Sequence, residues 1–391
     1  HHLKKFEQFH SRPPPSIDIY YITTKNLEET IPELRKHADQ IFSNIPHWND
    51  MIYHHQAYII PSDNQVISDE FIHKFIKKIS SSRRSILVIS ALPPKCNNDF
   101  DLYKCLKYNL TEAGIVHQNF KGSSPNRLNI SANYASGLVN AMQMLLKHGI
   151  LPVPYSCNIG DIDIIAALDI GRIGSNKSVA AIAVSMTKEG ILWGTNPKSE
   201  PQRGETMSSE VLYRTFSKLI REYEEKVGKK PKKIMIIRDG NTPKQEKIAI
   251  KKIIKEYSSL EVEVCWISLR KSGAPRLLNF ENNKIIDDIP NKGHWMSNGF
   301  NSAWIWPTGS PMQIPGIPQS LGFDIEFNFE KNPIKIGDAA RLLIAHAHAS
   351  QITPWSSTRL PFVHHLSDKM AKAMINGQIP LDQNGNKFSA A

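Results

Sequence analysis

At 391 residues the chain is too long for one ordinary domain and suits two domains or one large α/β unit. Hydrophobic residues at 40% and charged residues at 22% are enough for a sizeable core, which excludes global disorder. The net charge of +11 suits a polyanionic partner such as nucleic acid, although a Lys-rich codon bias gives part of such an excess without any partner. No run approaches the ~18–20 apolar residues of a membrane span. Cys96, Cys105, Cys157 and Cys265 share no C-x-x-C spacing, which argues against a structural zinc site and against a disulfide scaffold. The expectation is a soluble, cytoplasmic protein with no membrane partner.

The chain opens on His1-His2, so residues 1–16 read as a tag or linker remnant. Ile17-Asp-Ile-Tyr-Tyr-Ile22 predicts a first strand after the Pro13–Pro15 stop. A helix follows over residues 27–42, with Asn26 as its N-cap, and a second helix lies around residues 69–79. Ser85-Ile-Leu-Val-Ile-Ser90 reads as a buried strand. A helix near 101–113, a strand at 115–120 and a helix over 132–147 complete the first half. Strands alternating with helices of this length predict a parallel, doubly wound sheet.

Pro152 and Pro154 mark a boundary, so residues 17–158 and 159–391 are the expected domains. The second half starts with apolar runs at 162–170, 179–186 and 191–194, which look like an antiparallel meander. An amphipathic helix spans about 209–227, and Lys233-Ile-Met-Ile-Ile-Arg-Asp-Gly240 reads as a strand ending in a turn. A helix over 245–257, a strand at 262–268, a Gly/Pro/Asn-rich stretch to 317 and a helix over 337–350 follow. The Lys-rich stretches 229–233 and 247–255 read first as solvated faces.

Two carboxylates stand out. Asp169 closes the run Ile164-Ile-Ala-Ala-Leu168, and Asp239 closes Ile234-Met-Ile-Ile237. A carboxylate at the end of a buried strand is costly unless it is paired, hydrogen-bonded or on a metal. Two such acids suit a two-metal hydrolase, because hard cations take carboxylate oxygens and a metal pair clamps the attacking and leaving oxygens of a phosphodiester. The plainer alternative is that each Asp starts a turn, a role common for Asp before Gly.

Four segments in order resemble the PIWI domain of Argonaute proteins, an RNase H-like nuclease fold with an Asp-Glu-Asp-plus-Asp-or-His tetrad. They are Ala167-Leu-Asp169-Ile-Gly, Gly204-Glu205-Thr-Met-Ser-Ser-Glu-Val211, Ile236-Ile-Arg-Asp239-Gly240, and Arg359-Leu-Pro-Phe-Val-His-His-Leu-Ser-Asp368-Lys-Met-Ala371. Lys271-Ser-Gly-Ala-Pro-Arg276 and Ile314-Pro-Gly-Ile-Pro-Gln319 are also similar to the family. The resemblance implies that Asp169, Glu205, Asp239 and Asp368 are catalytic, with Asp169, Asp239 and Asp368 holding two Mg²⁺ or Mn²⁺ ions. Each has neighbours of the same chemistry: Glu200 and Glu210 around Glu205, Asp161 and Asp163 before Asp169, and His364 and His365 before Asp368. The two histidines read as lining a strand or its edge.

In the first half, Tyr103 and Lys107 stand at i and i+4 on one helical face, followed by Gln118 and by Lys147 at a helix end. A Tyr-x-x-x-Lys pair alone is an ordinary surface couple. Here the set resembles the MID domain of the same family, in which Tyr, Lys, Gln and Lys capture a guide strand's 5′-phosphate. Ammoniums supply charge there, and the phenol and amide donate directed hydrogen bonds. A departure is Gln143, where eukaryotic relatives carry a further Lys.

The resemblance thus implies a Rossmann-like MID domain followed by an RNase H-like PIWI domain, with no counterpart of the family's N-terminal and PAZ domains. The expectation from this resemblance is the MID–PIWI lobe of a prokaryotic Argonaute, whether a short one or part of a longer one. The implied function is guide-directed endonucleolytic cleavage of a complementary DNA or RNA target, in defence against foreign nucleic acid. The alternative is a guide-loaded sensor that does not cut and acts through a partner effector protein.

Overall fold

The computed structural model describes residues 16–43, 52–61, 65–82, 84–92, 101–121, 161–173, 177–188, 192–195, 206–273, 275, 279–286, 293–307, 320–348, 358–376 and 384–385. They fall into two compact units, one drawn mainly from the first 154 residues and one from residues 155–375.

In the first unit β1 (Ser16–Thr24) leads through a 3₁₀ turn (Lys25–Thr30) to α1 (Ile31–Ser43), then β2 (Ile52–Ile60), α2 (Gln65–Ile79), β3 (Ser85–Leu92), α3 (Leu102–Glu112) and β4 (Val116–Lys121). The four strands are parallel, in the order β2-β1-β3-β4. Period-two alternation splits β1 between two cores. Ile17, Ile19 and Tyr21 pack with Leu34 and Ala38 of α1. Tyr20 and Ile22 pack with Phe75 of α2 and with Leu106 and Leu110 of α3. A parallel sheet covered on both faces is the doubly wound arrangement expected.

Two details differ from expectation. Asn26 does not cap α1; it lies inside the 3₁₀ turn, whose cap position is Thr24. β2 is a strand the apolar pattern does not announce. It lies at the sheet edge, where His54, His55 and Gln56 are tolerated because one side of the strand meets solvent. The predicted helix over 132–147 lies outside the described residues.

The second unit contains β5 (Ile164–Ile173), β6 (Lys177–Thr187), β7 (Leu192–Thr195), α4 (Ser209–Val227), β8 (Lys233–Asp239), α5 (Lys244–Ser258) and β9 (Glu263–Arg270). A small hairpin, β10 (Asn279–Glu281) and β11 (Lys284–Ile286), comes next. β12 (His294–Ser297), β13 (Ser302–Trp306), β14 (Leu321–Phe327), α6 (Ile336–His348) and α7 (Phe362–Ile375) complete it. Its large sheet is mixed and runs β12-β13-β14-β9-β8-β5-β6-β7. β5, β6 and β7 form the expected antiparallel meander, while β8 and β9 join β5 in parallel. β12 to β14 fall in or just after the stretch rich in Gly, Pro and Asn. β14 carried a legible alternation, with Leu321, Phe323, Ile325 and Phe327 at every second position.

One face of this sheet packs against α4 and α5. Ile164, Ala166, Leu168, Ile234, Ile236 and Trp266 meet Phe216, Leu219, Tyr223, Ile250 and Ile253 there. α4 has regular ends: the Ser208 hydroxyl accepts from the Val211 N–H, and Gly228 takes a left-handed conformation at φ +76°. α7 packs on β5 and β6. Among the described residues, no helix is long and apolar enough to cross a membrane.

Candidate active site

Register and alternation alone bring the first two acids together. Ala167 of β5 pairs with Ile237 of β8, and Leu168 with Arg238. One step further along these parallel neighbours stand Asp169 and Asp239. Leu168 and Ile236 belong to the core under α4 and α5, so the residues of opposite parity, Asp169 and Asp239, face the other side. β9 extends the pattern: Asp239 pairs with Leu269, which puts Lys271, two residues on, on the same side as Asp239. Gly240 then turns the chain at φ +75°, and its N–H donates to the Leu269 carbonyl at 2.7 Å. Asp239 ends its strand, as the sequence suggested, but Asp169 does not: β5 runs on past it to Ile173, still paired with β6, although its pairing with β8 stops at Leu168.

α7 brings the remaining groups. His364 and Asp368 stand one helical turn apart, at i and i+4. Lys271 Nζ donates to Asp239 Oδ2 at 2.8 Å and to Asp368 Oδ1 at 2.9 Å. His364 Nε2 lies 3.3 Å from Asp239 Oδ1 without a directed hydrogen bond, and its ring is fully buried. Lys372 closes the outer side of the cluster, 2.6 Å from Asp368 Oδ2. The two histidines thus lie on a helix and not on a strand or its edge. Inward-facing His364 is the member of the cluster that the sequence reading left out. Its spacing of four from Asp368 was the available signal.

Burial, followed by the charge of Asp239, pushes the Asp169 carboxyl up to about 6. Burial works the same way on Asp239, but contacts with His364 and Lys271 outweigh it and hold that carboxyl well below the usual range. Asp368 is also held low, because Lys372 and Lys271 outweigh its burial. Burial tends to strip the Lys271 proton, yet Asp169, Asp239 and Asp368 together raise its pKa above the ordinary value, so it stays an ammonium. These are the two directions that opposite charge and desolvation impose.

A second, buried ion pair fixes the surroundings. Arg238 points opposite to Asp239 and forms two bonds to Glu246 of α5, Nε to Oε2 at 2.8 Å and Nη2 to Oε1 at 3.0 Å. Glu246 Oε1 also accepts the Met207 N–H at 2.7 Å. Arg238 Nη1 in turn donates to the Asp239 carbonyl. One buried pair therefore anchors the backbone at Asp239 and the chain entering α4, two residues after Glu205.

Glu205 itself lies outside the described residues, as does Glu200. Glu210 is an exposed residue of α4, paired with Arg214. Asp161 and Asp163 sit before β5, at the far end from Asp169; Asp163 accepts the N–H groups of Lys232 and Lys233 at 2.7 and 3.2 Å. Among the described residues, no three His, Cys, Asp or Glu side chains are gathered closely enough to hold a metal ion. Asp239 and Asp368 are instead bridged by the Lys271 ammonium. The donor chemistry nevertheless suits a hard divalent cation, since three carboxylates converge where burial opposes their charge and a cation already relieves it.

In the first unit, Tyr103 and Lys107 share one face of α3, with Lys107 Nζ 5.7 Å from the Tyr103 ring centre. Lys107 is buried, whereas Lys104 on the same helix is exposed. Burial, then the charge of Asp101, raises the Tyr103 phenol, which keeps it an O–H donor. Gln118 lies on β4, half-buried. Lys147 and Gln143 are outside the described residues.

The profile of the Piwi domain family matches residues 87–303, more than half of the chain. The chain belongs to the Piwi domain family. It is 30% identical over 190 residues to the argonaute protein of Synechococcus elongatus, covering 47% of this chain and 24% of that one. It is 28% identical over 328 residues to that of Aquifex aeolicus, covering 81% and 43%. In fold it is similar to Clostridium butyricum Argonaute bound to a guide DNA and a 19-mer target DNA, with a TM-score of 0.78 at 15% identity, over 99% of this chain and 51% of that one. The Piwi chain thus spans about half or less of the length of these relatives. The resemblance to a prokaryotic Argonaute MID–PIWI lobe is borne out, as is the fold class: a parallel Rossmann-like sheet followed by an RNase H-like mixed sheet.

Proposed function

We propose that this chain is the MID–PIWI part of a guide-directed endonuclease that cuts a complementary DNA or RNA target, in defence against foreign nucleic acid. The observation that carries the reading is the convergence of Asp169, Asp239 and Asp368, from three separate elements, on a single cation. Asp169 is buried and Asp239 and Asp368 are partly so, and carboxylates drawn together where burial opposes their charge are rarely without a use, because each costs desolvation energy.

Asp169, Asp239 and Asp368, completed by Glu205, are the side chains that would hold two Mg²⁺ or Mn²⁺ ions. Such ions, when bound, supply charge for activating water and for stabilising the leaving oxygen. The chain's own part is to fix these carboxylates. Strand register sets Asp169 against Asp239, and α7 supplies Asp368. The Arg238–Glu246 pair holds the backbone at Met207, two residues after Glu205 in sequence. A cut of this kind leaves a 3′-hydroxyl and a 5′-phosphate.

Tyr103, Lys107, Gln118 and Lys147 would hold the 5′-phosphate of the guide, and base pairing would read the target's sequence while the protein reads backbone and duplex shape. The Clostridium butyricum relative, bound to guide and target DNA, supports this reading.

The test is single-turnover cleavage of a labelled strand matched to a 5′-phosphorylated guide, with Mg²⁺ or Mn²⁺. Guide-dependent cutting at one position is the expected result. Guide-dependent target binding without any cutting would favour a sensor that acts through a partner effector protein.

A further inference from the structure

The cation shared by the aspartates belongs to the chain itself. Lys271 Nζ takes one oxygen from each of two carboxylates, at 2.8 Å from Asp239 Oδ2 and 2.9 Å from Asp368 Oδ1. Its place is built on both sides. Arg359, just ahead of α7, donates to the Lys271 carbonyl, and the Gly240 N–H donates to the carbonyl of Leu269, two residues earlier. The segments that carry Asp239 and Asp368 therefore also fix the backbone that carries Lys271. The side chain is half-buried, at 28% exposure, so the route outward stays open to its flexible stem.

An ammonium and a divalent ion cannot share these two oxygens. Mg²⁺ demands oxygens at about 2.0–2.1 Å, whereas the Lys271 nitrogen already stands at hydrogen-bond distance between them. Without any cation, Asp239 would keep the repulsion of Asp169 and lose the ammonium that ties it to Asp368. We propose that Lys271 is a built-in counter-ion that holds Asp239 and Asp368 in place in the metal-free chain and gives up their oxygens to an incoming divalent cation. The proposal rests on the metal-dependent reading of the site.

Two opposite consequences distinguish this role from simple structural support. Removing the Lys271 charge weakens the metal-free fold. It also tightens cation binding, because the cation no longer has to displace a competitor. Lys372 provides the control. It contacts the other oxygen of Asp368, at 2.6 Å, from the exposed side. It carries the same charge without standing between two carboxylates.

The experiment is a Mn²⁺ titration of the whole chain without nucleic acid, followed by isothermal calorimetry and by paramagnetic resonance of free Mn²⁺, with melting temperatures recorded in parallel. Lys271→Met and Lys271→Gln are both measured, so that the result does not hang on the folding of one variant. Both should melt a few degrees below wild type in chelator and bind Mn²⁺ at least fivefold more tightly. Lys372→Met should change affinity less than twofold. Unchanged or weaker Mn²⁺ binding in the Lys271 variants would overturn the proposal, as would an equal gain in Lys372→Met. Asp239→Asn separates the two readings. If it abolishes Mn²⁺ uptake while the Lys271 variants behave like wild type, the metal site stands and the counter-ion falls. If Asp239→Asn leaves uptake intact, the ion binds elsewhere and both fall.

Discussion

Arg238 and Glu246 form a doubly bonded, buried ion pair whose two ends anchor different parts of the site: Arg238 holds the Asp239 carbonyl, and Glu246 holds the Met207 N–H. Glu246 is fully buried and Arg238 nearly so. Removing one partner leaves the other charge buried without compensation, which typically costs about 3–5 kcal/mol. Glu246→Ala should therefore lower unfolding free energy by that order, as read from urea denaturation. A loss below about 1 kcal/mol would mean that the pair contributes little.

The aspartates should separate cutting from binding. Asp169→Ala and Asp239→Ala each remove one carboxylate from the proposed metal site and leave Tyr103 and Lys107 untouched. Both variants should lose cleavage, below 1% of wild type by an order-of-magnitude reading of a lost metal ligand, while guide affinity in a filter-binding assay stays within roughly a factor of two. Cleavage at the wild-type rate in either variant would remove these residues from the mechanism.

Glu205 should behave unlike its neighbours. In sequence it lies two residues before Met207, whose N–H donates to Glu246. Glu210, by contrast, is an exposed helix residue already paired with Arg214. Glu205→Gln should slow single-turnover cleavage by about a hundredfold or more, an estimate for a missing carboxylate at a metal-assisted site. Glu200→Gln and Glu210→Gln should change it little. Sensitivity at Glu200 or Glu210 in place of Glu205 would shift the register of the loop.

Much of this architecture was legible because periodicity and burial agree. The apolar runs of β1, β3, β5 and β8 are strands with both faces covered, and α4 matches its amphipathic pattern from Ser209 to Val227. Asp169 and Asp239 were readable as polar residues ending such runs. β2 was not, because an edge strand needs no continuous apolar face. α7 was hidden by its chemistry: a segment with His364, His365, Asp368 and Lys369 reads first as a site motif, although its apolar residues pack on β5 and β6. The roles of Lys271 and His364 depend on contacts between elements far apart in sequence, of which the i, i+4 spacing of His364 and Asp368 was the one local trace.

His346 predicts a pH dependence. It is 1% exposed in α6, and burial pushes its pKa down to about 3. An unfolded histidine titrates near 6.5. Between those values the unfolded chain binds the extra proton, so stability is full above pH 6.5 and falls as pH drops toward 3. Each pH unit in that window costs about 1.4 kcal/mol, or roughly 2 kcal/mol from pH 7 to pH 5. His346→Leu lacks this titration. The stability difference between wild type and His346→Leu should therefore move against wild type by about that amount as pH falls from 7 to 5. A difference independent of pH, measured by urea midpoints, would show that the ring is protonated as easily in the fold as outside it.

The guide pocket supplies the last test. Lys107 is buried beside the Tyr103 ring, while Lys104, three residues earlier, is exposed and offers its backbone N–H to the Asp101 cap. The two carry the same charge on one helix, so screened attraction to a nucleic-acid backbone should treat them alike. A directed contact to a 5′-phosphate should not. A hydrogen bond to a charged group is worth about 1.5–3 kcal/mol, or about tenfold to a hundredfold in affinity. Lys107→Ala should weaken binding of a 5′-phosphorylated guide by that factor and of a 5′-hydroxyl guide far less, whereas Lys104→Ala should affect both slightly and equally. Comparing the two guides also removes any general loss from emptying a buried position, because such a loss acts on both. Equal losses for both guides in Lys107→Ala across a salt series would make this a generic basic surface, and the 5′-phosphate would have to be held elsewhere.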